Sequence, residues 1–300
     1  MRLGRRALLA APAVAIAVPS RAQETRPLRI VVPFPPGGSV DLVSRIVQPR
    51  LAERLGRAVV IENRTGASGM IGSAAVAQAA PDGSTIVWGN IATHGINVSI
   101  YERMAYDPVA DFAPVTLACA ISFMLVVHPS VPARNVRELV ELSKQPGQHL
   151  TYGSAGSGSL PHLLTEMLKS ETGARLEHVP FRGGGPMLID LVAGTINAVF
   201  ADVPSLLPHV RAGAVRALAI AGAERSALLP ELPTVAETYP GVSGTAWHGV
   251  FAPARTPPEI VARLHQAIAG ALLQNRERLL ASGAEPVGAG PEELAAFQRA

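Results

Sequence analysis

The chain is predicted to be an α/β protein whose strands form parallel sheets covered by helices on both faces, and three observations support this. Short apolar runs rich in valine and isoleucine recur along the sequence. Segments of helical periodicity separate them, and turns of glycine, proline and serine join strand to helix. With 48% hydrophobic residues in 300 positions, the chain can bury two cores of medium size.

The first strand is read at Leu28 to Pro33, where Ile30-Val31-Val32 runs into Pro33-Phe34-Pro35-Pro36-Gly37-Gly38. An amphipathic helix from Asp41 to Leu55 follows, and Pro49 inside it is expected to kink it. Strand Ala58 to Glu62, helix Gly69 to Ala79 and strand Thr85 to Gly89 come next. Strand Ser122 to Val127 leads to helix Val136 to Lys144, then strand Thr151 to Gly153 and helix Leu160 to Glu171. Glu177 to Pro180 reads as strand, Met187 to Ala193 as helix, Ala198 to Ala201 as strand and Pro204 to Ala212 as helix. Strands Arg216 to Ala221 and Gly249 to Ala252 precede helices Pro258 to Gln274 and Pro291 to Arg299.

Residues 1–22 read as a targeting segment rather than as part of the fold. Arg2, Arg5, Arg6 and Arg21 appear with no acid, an apolar run extends from Ala7 to Pro19, and small residues flank a cut after Ala22. The run is too short to span a bilayer, so an exported, soluble mature protein is expected. Gly4-Arg5-Arg6 fits either a twin-arginine or a general secretory signal. Without the four arginines, 22 basic residues face 23 acidic ones, a formal net charge of −1 in place of +3. The basic balance belongs to the leader, and with 4% aromatic residues there is no platform for nucleic acid. Cys119 is the sole cysteine, which excludes an intrachain disulfide, and its apolar surroundings read as core.

One pattern recurs at residues 30–45, 151–168 and 177–191: strand, glycine-rich turn, helix. In a doubly wound sheet such turns fall at the carboxyl edge, where ligands bind. Glycines let backbone approach a ligand, and a helix start offers free N–H groups and a positive dipole end to a carboxylate or phosphate. Ser39 or Asp41 is placed to cap the first of these helices. The same composition also suits an ordinary βα connection or a flexible loop. Arg182, beside Gly183-Gly184-Gly185, is either a carboxylate partner or solvated surface.

Catalytic templates are missing: there is no phosphate-binding Gly-Lys-Ser/Thr, no Gly-x-Ser-x-Gly elbow, no dinucleotide fingerprint and no His-Glu-x-x-His. His162 and Glu166 lie one helical turn apart, but no further ligands accompany them, so neither metal nor cofactor is expected.

The segments Val32-Pro33-Phe34-Pro35-Pro36-Gly37-Gly38, Glu62-Asn63-Arg64-Thr65-Gly66-Ala67-Ser68-Gly69, Tyr152-Gly153-Ser154-Ala155-Gly156, His178-Val179-Pro180-Phe181-Arg182-Gly183 and Trp247-His248-Gly249-Val250-Phe251-Ala252-Pro253 together resemble the Bug family. Ala80-Pro81-Asp82-Gly83 and Leu232-Pro233-Thr234-Val235 add to the match. These are substrate-binding proteins of tripartite tricarboxylate transporters, and the resemblance runs collinearly from about residue 28 to the end.

It implies a two-domain periplasmic binding protein fold of the type II kind with a ligand cleft between domains. Domain 1 is expected at 27–120 plus 248–300 and domain 2 at 121–247, with crossings near Leu117 to Phe123 and Thr245 to Gly249. The family grips a ligand carboxylate with backbone amides and waters from two strand-to-helix turns. Carried onto this chain, the first turn contributes Phe34, Pro36, Gly37, Gly38 and Asp41, with Ala67 and Ser68 nearby. The second contributes Ser154, Ala155, Gly156 and Ser159, with His162 inside the helix; Arg182 and Asp202 complete the expected contacts. Phe200-Ala201-Asp202-Val203-Pro204-Ser205 departs from the family's Phe-Asp pattern, so Asp202 either replaces that contact or caps the helix at Pro204. Pro161 stands where a second histidine is common, and the two departures together make that part of the pocket less polar and less suited to an amino acid.

The expectation is a non-enzymatic periplasmic receptor for a small carboxylate, with a tripartite tricarboxylate-type permease or a sensor domain as partner. Its rivals are an exported enzyme using His162, Asp202 and Asp41, and a purely structural or adhesive protein.

Overall fold

The structure, a computed structural model, describes residues 26–299; the targeting segment expected at 1–22 lies outside the described residues. In chain order the elements are β1 (Leu28–Val32), α1 (Ser39–Leu55), β2 (Val59–Asn63), α2 (Met70–Ala77), β3 (Thr85–Asn90), α3 (Asn97–Ile100) and β4 (Phe112–Val127). There follow α4 (Val136–Lys144), β5 (Leu150–Ser154), α5 (Leu160–Thr172), β6 (Leu176–Pro180), α6 (Gly184–Val192), β7 (Ala198–Asp202), α7 (Val203–Arg211) and β8 (Arg216–Ile220). The last are β9 (Thr245–Pro253), α8 (Pro258–Gln274), α9 (Arg276–Ser282), β10 (Ala284–Ala289) and α10 (Pro291–Arg299).

Every expected strand and helix forms, and the departures have local causes. β4 starts ten residues before the expected Ser122, because Phe112 to Ile121 contains Pro114 and small residues that carry little strand signal. β10 was hidden by Pro286 and Gly288, and its register against β4 shifts between Pro286 and Ala289, where a bulge accommodates the proline. α1 runs unbroken through Pro49. It buries Val40, Val43, Val47, Leu51 and Leu55 along one face and stops at Gly56 in the left-handed region.

The strands order as β2-β1-β3-β9-β4-β7-β5-β6, with β8 and β10 also paired to β4. β1 with β2 and β3, and β5 with β6 and β7, are parallel as expected. The centre corrects the expectation of parallel sheets throughout. There β9 is antiparallel to β3 and β4, and β4 is antiparallel to β7, β8 and β10. β4 and β9 carry the chain out and back, so they must run in opposite directions. β4 pairs with β9 as far as Ser122, opposite Thr245, and from Phe123 onward it pairs with β7 and β8. One long strand therefore belongs to both halves of the molecule. The largest apolar cluster follows it, joining Ile30 and Trp88 on one side to Leu125 and Phe200 on the other. Each such buried side chain contributes roughly 1.5–3 kcal/mol. Among the described residues no helix is long and apolar enough to cross a membrane.

Candidate functional site

Two turns of the same build face each other across the seam. β1 ends at Val32 and Pro33 to Gly38 lead into α1; β5 ends at Ser154 and Ala155 to Ser159 lead into α5. Neither helix start carries a side-chain cap. The first amides of each helix therefore have no intrahelical acceptor, and each start presents the positive end of a helix dipole. Both starts border one cavity, through Gly38, Ser39 and Val40 on one side and Ser159, Leu160 and Pro161 on the other. The cavity measures about 80 Å³, well above the minimum of about 10–15 Å³ that admits one water. Phe34, Ile91, Phe123 and Met187 make its apolar walls, while Asn90, Asp202 and His248 add polar groups. Among the described residues no lysine or arginine lines it.

Of the residues expected to bind, Phe34, Gly38, Ser68, Ala155, Ser159 and Asp202 border this cavity. Pro36 and Gly37 lie on the outer side of the same turn, along a separate groove against α6. Asp41 turns inward. Its carboxylate accepts from the Gly37 N–H at 3.1 Å, Arg45 Nε at 2.9 Å and Asn63 Nδ2 at 2.8 Å. Burial works against its charge, but hydrogen bonds from Arg45, Asn63 and Gly37 outweigh that and hold the carboxyl below its ordinary value. Asn63 also donates to the Phe34 carbonyl at 3.0 Å, so the pair ties the first turn to β2.

Ala67 and Ser68 form a strained corner, with φ of 47° and 52° in the left-handed region. The Ser68 hydroxyl pairs with Tyr101 Oη at 2.8 Å, and Asn97 Nδ2 donates to the Ser68 carbonyl at 3.1 Å. Such strain persists where surrounding bonds over-determine it, and it clusters at binding sites. Ser154 and Gly156 lock the second turn: the Gly156 N–H donates to Ser154 Oγ at 3.2 Å, and that hydroxyl lies 2.6 Å from His178 Nε2. His162 accepts from the Gly158 N–H at 3.1 Å and stacks on His178 at 4.4 Å between centroids, which makes it a support for the turn. Arg182 is exposed and outside the cavity.

Sequence reasoning did not assign Ser39 or His248 to the site. The Ser39 hydroxyl lies 3.2 Å from His248 Nε2, and burial pushes that imidazole down to about 3, so it is neutral. His248 stood inside the Trp247-His248-Gly249 motif, and that motif was the available signal. His248 Nδ1 and Ser159 Oγ are buried without a protein partner. Buried polar atoms left unpaired at a cavity point to a ligand that pairs them.

The lips of the cleft touch. A Cβ at Gly183 would lie 2.7 Å from Pro35 Cδ, and one at Gly185 would lie 2.8 Å from the Pro36 carbonyl oxygen. The glycine run expected as a third anion cradle therefore receives the proline ridge of the first turn, with Gly184 alone reaching the cavity.

The model of the tripartite tricarboxylate transporter family receptor matches residues 43–299. A protein encoded in the tcbD-tcbE intergenic region of Pseudomonas sp. (strain P51) is 39% identical, over 98% of this chain and 90% of that one. BugT of Bordetella pertussis is 34% identical, over 96% of this chain and 90% of that one. Among solved structures, R. palustris Rpa4515 with adipate is 37% identical with a TM-score of 0.88, covering 92% of this chain and 93% of that one. MatC from Rhodopseudomonas palustris with bound malate is 35% identical with a TM-score of 0.85, covering 91% and 95%. The periplasmic binding protein BugD is 32% identical with a TM-score of 0.86, covering 91% and 93%. The fold is that of the periplasmic binding proteins, and the chain belongs to the tripartite tricarboxylate transporter receptor family, known also as the Bug family, whose members are solute-binding receptors and not enzymes.

Proposed function

We propose that the protein is a periplasmic receptor that closes two domains, 27–120 with 248–300 and 121–247, around one small organic carboxylate. The observation that carries this reading is the pair of uncapped helix starts, α1 and α5, bordering one cavity. Their amides take the carboxylate from two sides, so full contact requires both domains at once and ligand binding stabilises closure. The apolar walls fit a short hydrocarbon chain between polar ends. Adipate and malate, held by the two similar Rhodopseudomonas palustris proteins, are of that chemistry. Residues 1–22 act as the export signal, and the closed form is handed to a tripartite tricarboxylate-type permease or to a sensor domain. Among the described residues no group of three His, Cys, Asp or Glu is placed to hold a metal, and the reading calls for no cofactor.

Thermal unfolding of the mature protein against di- and tricarboxylates, aromatic carboxylates, amino acids and matched amides tests the reading. A ligand at 100 times its Kd adds about 2.7 kcal/mol, which raises the midpoint by roughly 5–10 °C. A shift with one carboxylate, absent with its amide and with the compound recovered unchanged, is the expected result. No shift with any carboxylate would sink the proposal.

A further inference from the structure

One end of the cavity is polar in a way that the backbone cradle does not use. Asp202 borders the cavity and caps α7, its Oδ1 accepting the Ser205 N–H at 3.0 Å. The Ser39 hydroxyl stands between it and His248, near enough to the Asp202 carboxyl to favour its charged form and 3.2 Å from His248 Nε2. The groups that face Asp202 are therefore Ser39 from α1, His248 from β9 and Ser205 from α7, with Ser159 of α5 across the cavity. His248 is neutral, and the nearest acid on α1, Asp41, is spent on Arg45, Asn63 and the Gly37 amide. With no lysine or arginine lining the cavity among the described residues, an ionised Asp202 and a bound carboxylate would be two anions sharing the same helix start in about 80 Å³. Like charges at one desolvated site do not both ionise. One of the two must hold a proton, or the ligand must bring a cation.

We propose that Asp202 binds the ligand as a protonated hydrogen-bond donor, so that the receptor takes up one proton with its carboxylate and selects ligands carrying an acceptor rather than an ammonium at that end. The inference rests on the receptor reading above and names the chemistry of one of its contacts. The proton comes from solvent and returns there on release. Burial raises the Asp202 carboxyl against the opposing hydrogen bonds of Ser205 and Ser39, in the required direction. With the Ser205 N–H on Oδ1, Oδ2 is the oxygen left to carry the proton.

Titration calorimetry with adipate and with malate between pH 6.5 and 8.5, where both acids are fully ionised, in two buffers of different ionisation enthalpy, tests this. The expected result is uptake of up to one proton per ligand, with affinity falling up to tenfold per pH unit. Asp202→Asn keeps the acceptor for the Ser205 N–H and supplies its own N–H donor, so it should bind with no proton uptake and a flat pH profile. Binding of adipate or malate to the unaltered protein without uptake would overturn the inference while leaving the receptor reading intact. Tight binding of aspartate, weakened at least tenfold in Asp202→Asn, would also overturn it, because an ionised Asp202 would then be pairing with the ammonium. Failure of every carboxylate to bind at any pH would remove the receptor reading itself, and the inference with it.

Discussion

Gly185→Ala separates closure from folding. Gly185 is the second residue of α6, and its φ lies outside the left-handed range, so alanine meets no backbone penalty there. Alanine is also the better helix former, by up to about 1 kcal/mol in a helix interior. The added Cβ would, however, lie 2.8 Å from the Pro36 carbonyl oxygen on the opposite lip, roughly half an ångström or more inside a relaxed contact. That oxygen belongs to backbone fixed by prolines on both sides, so the lip has to open. Overpacking of this kind costs about 1–3 kcal/mol, and because it acts only in the closed form it appears as a Kd roughly 5- to 150-fold weaker. Thermal unfolding of the empty protein should be unchanged or slightly higher, while calorimetry with the ligand identified by thermal shift should show the loss. Unaltered affinity would refute the argument that these lips meet when ligand is held. Gly183→Ala is a poorer probe, because its φ of 123° strains any alanine there whether the cleft is open or closed.

Three further outcomes follow from buried groups. His94 and His248 are both held at about 3 by burial, against an ordinary 6.5, so the unfolded chain takes up protons that the fold refuses. Stability is complete above about pH 6.5 and falls by up to about 1.4 kcal/mol per pH unit for each histidine as pH drops toward 3; urea unfolding at pH 7.5 and 5.5 that gave equal free energies would contradict this. Asp41→Ala leaves the donors of Arg45, Asn63 and Gly37 unpaired and should cost about 2–4 kcal/mol in unfolding of the empty protein. If affinity fell with that stability unchanged, Asp41 would be a ligand contact instead of an anchor for the turn. Cys119 is fully buried with its thiol pushed up to about 12, so a thiol reagent should label nothing in the native protein and one thiol in denaturant.

The strands flanked by strong turns were legible in the sequence because their signals are local. Ile30-Val31-Val32 before Pro33 is buried throughout, and Val59-Val60-Ile61 before the Glu62-Asn63 corner is a β-branched run whose Val59 is buried. The first half of β4 and all of β10 were not legible, since Pro114 with a run of small residues in the one, and Pro286 with Gly288 in the other, mask the strand signal. The first half of β4 is a strand because β9 and β10 supply its hydrogen bonds, and β10 is one because β4 supplies its own. Their antiparallel direction is a property of the path between two halves, which no window of residues contains. His248 illustrates the same limit at the site. Nothing in Trp247-His248-Gly249 says that its ring will reach Ser39, 209 positions earlier, until β9 is laid beside β3 and the start of α1 comes within 3.2 Å.

The glycine runs show how a correct physical premise can leave its object open. A run such as Gly183-Gly184-Gly185 establishes that backbone approaches something closely, because a Cβ has been removed where there was no room for one. It does not say whether that neighbour is a ligand or another part of the chain. At α1 and α5 the approach is to the cavity, and the absence of side-chain caps leaves the helix starts for a guest. At Gly183 and Gly185 it is to Pro35 and Pro36 of the opposite turn. These two uses depend on each other. The Pro35-Pro36 ridge belongs to the turn that ends at Gly38, so seating it on the second half also sets how far the start of α1 stands from the start of α5. On the proposed reading, the size of guest that can touch both starts is thus set by the contact of two lips, of which only Pro35 and Gly184 also border the cavity. A substitution at the lip should therefore weaken every ligand, whereas one at Asp202 should discriminate among them.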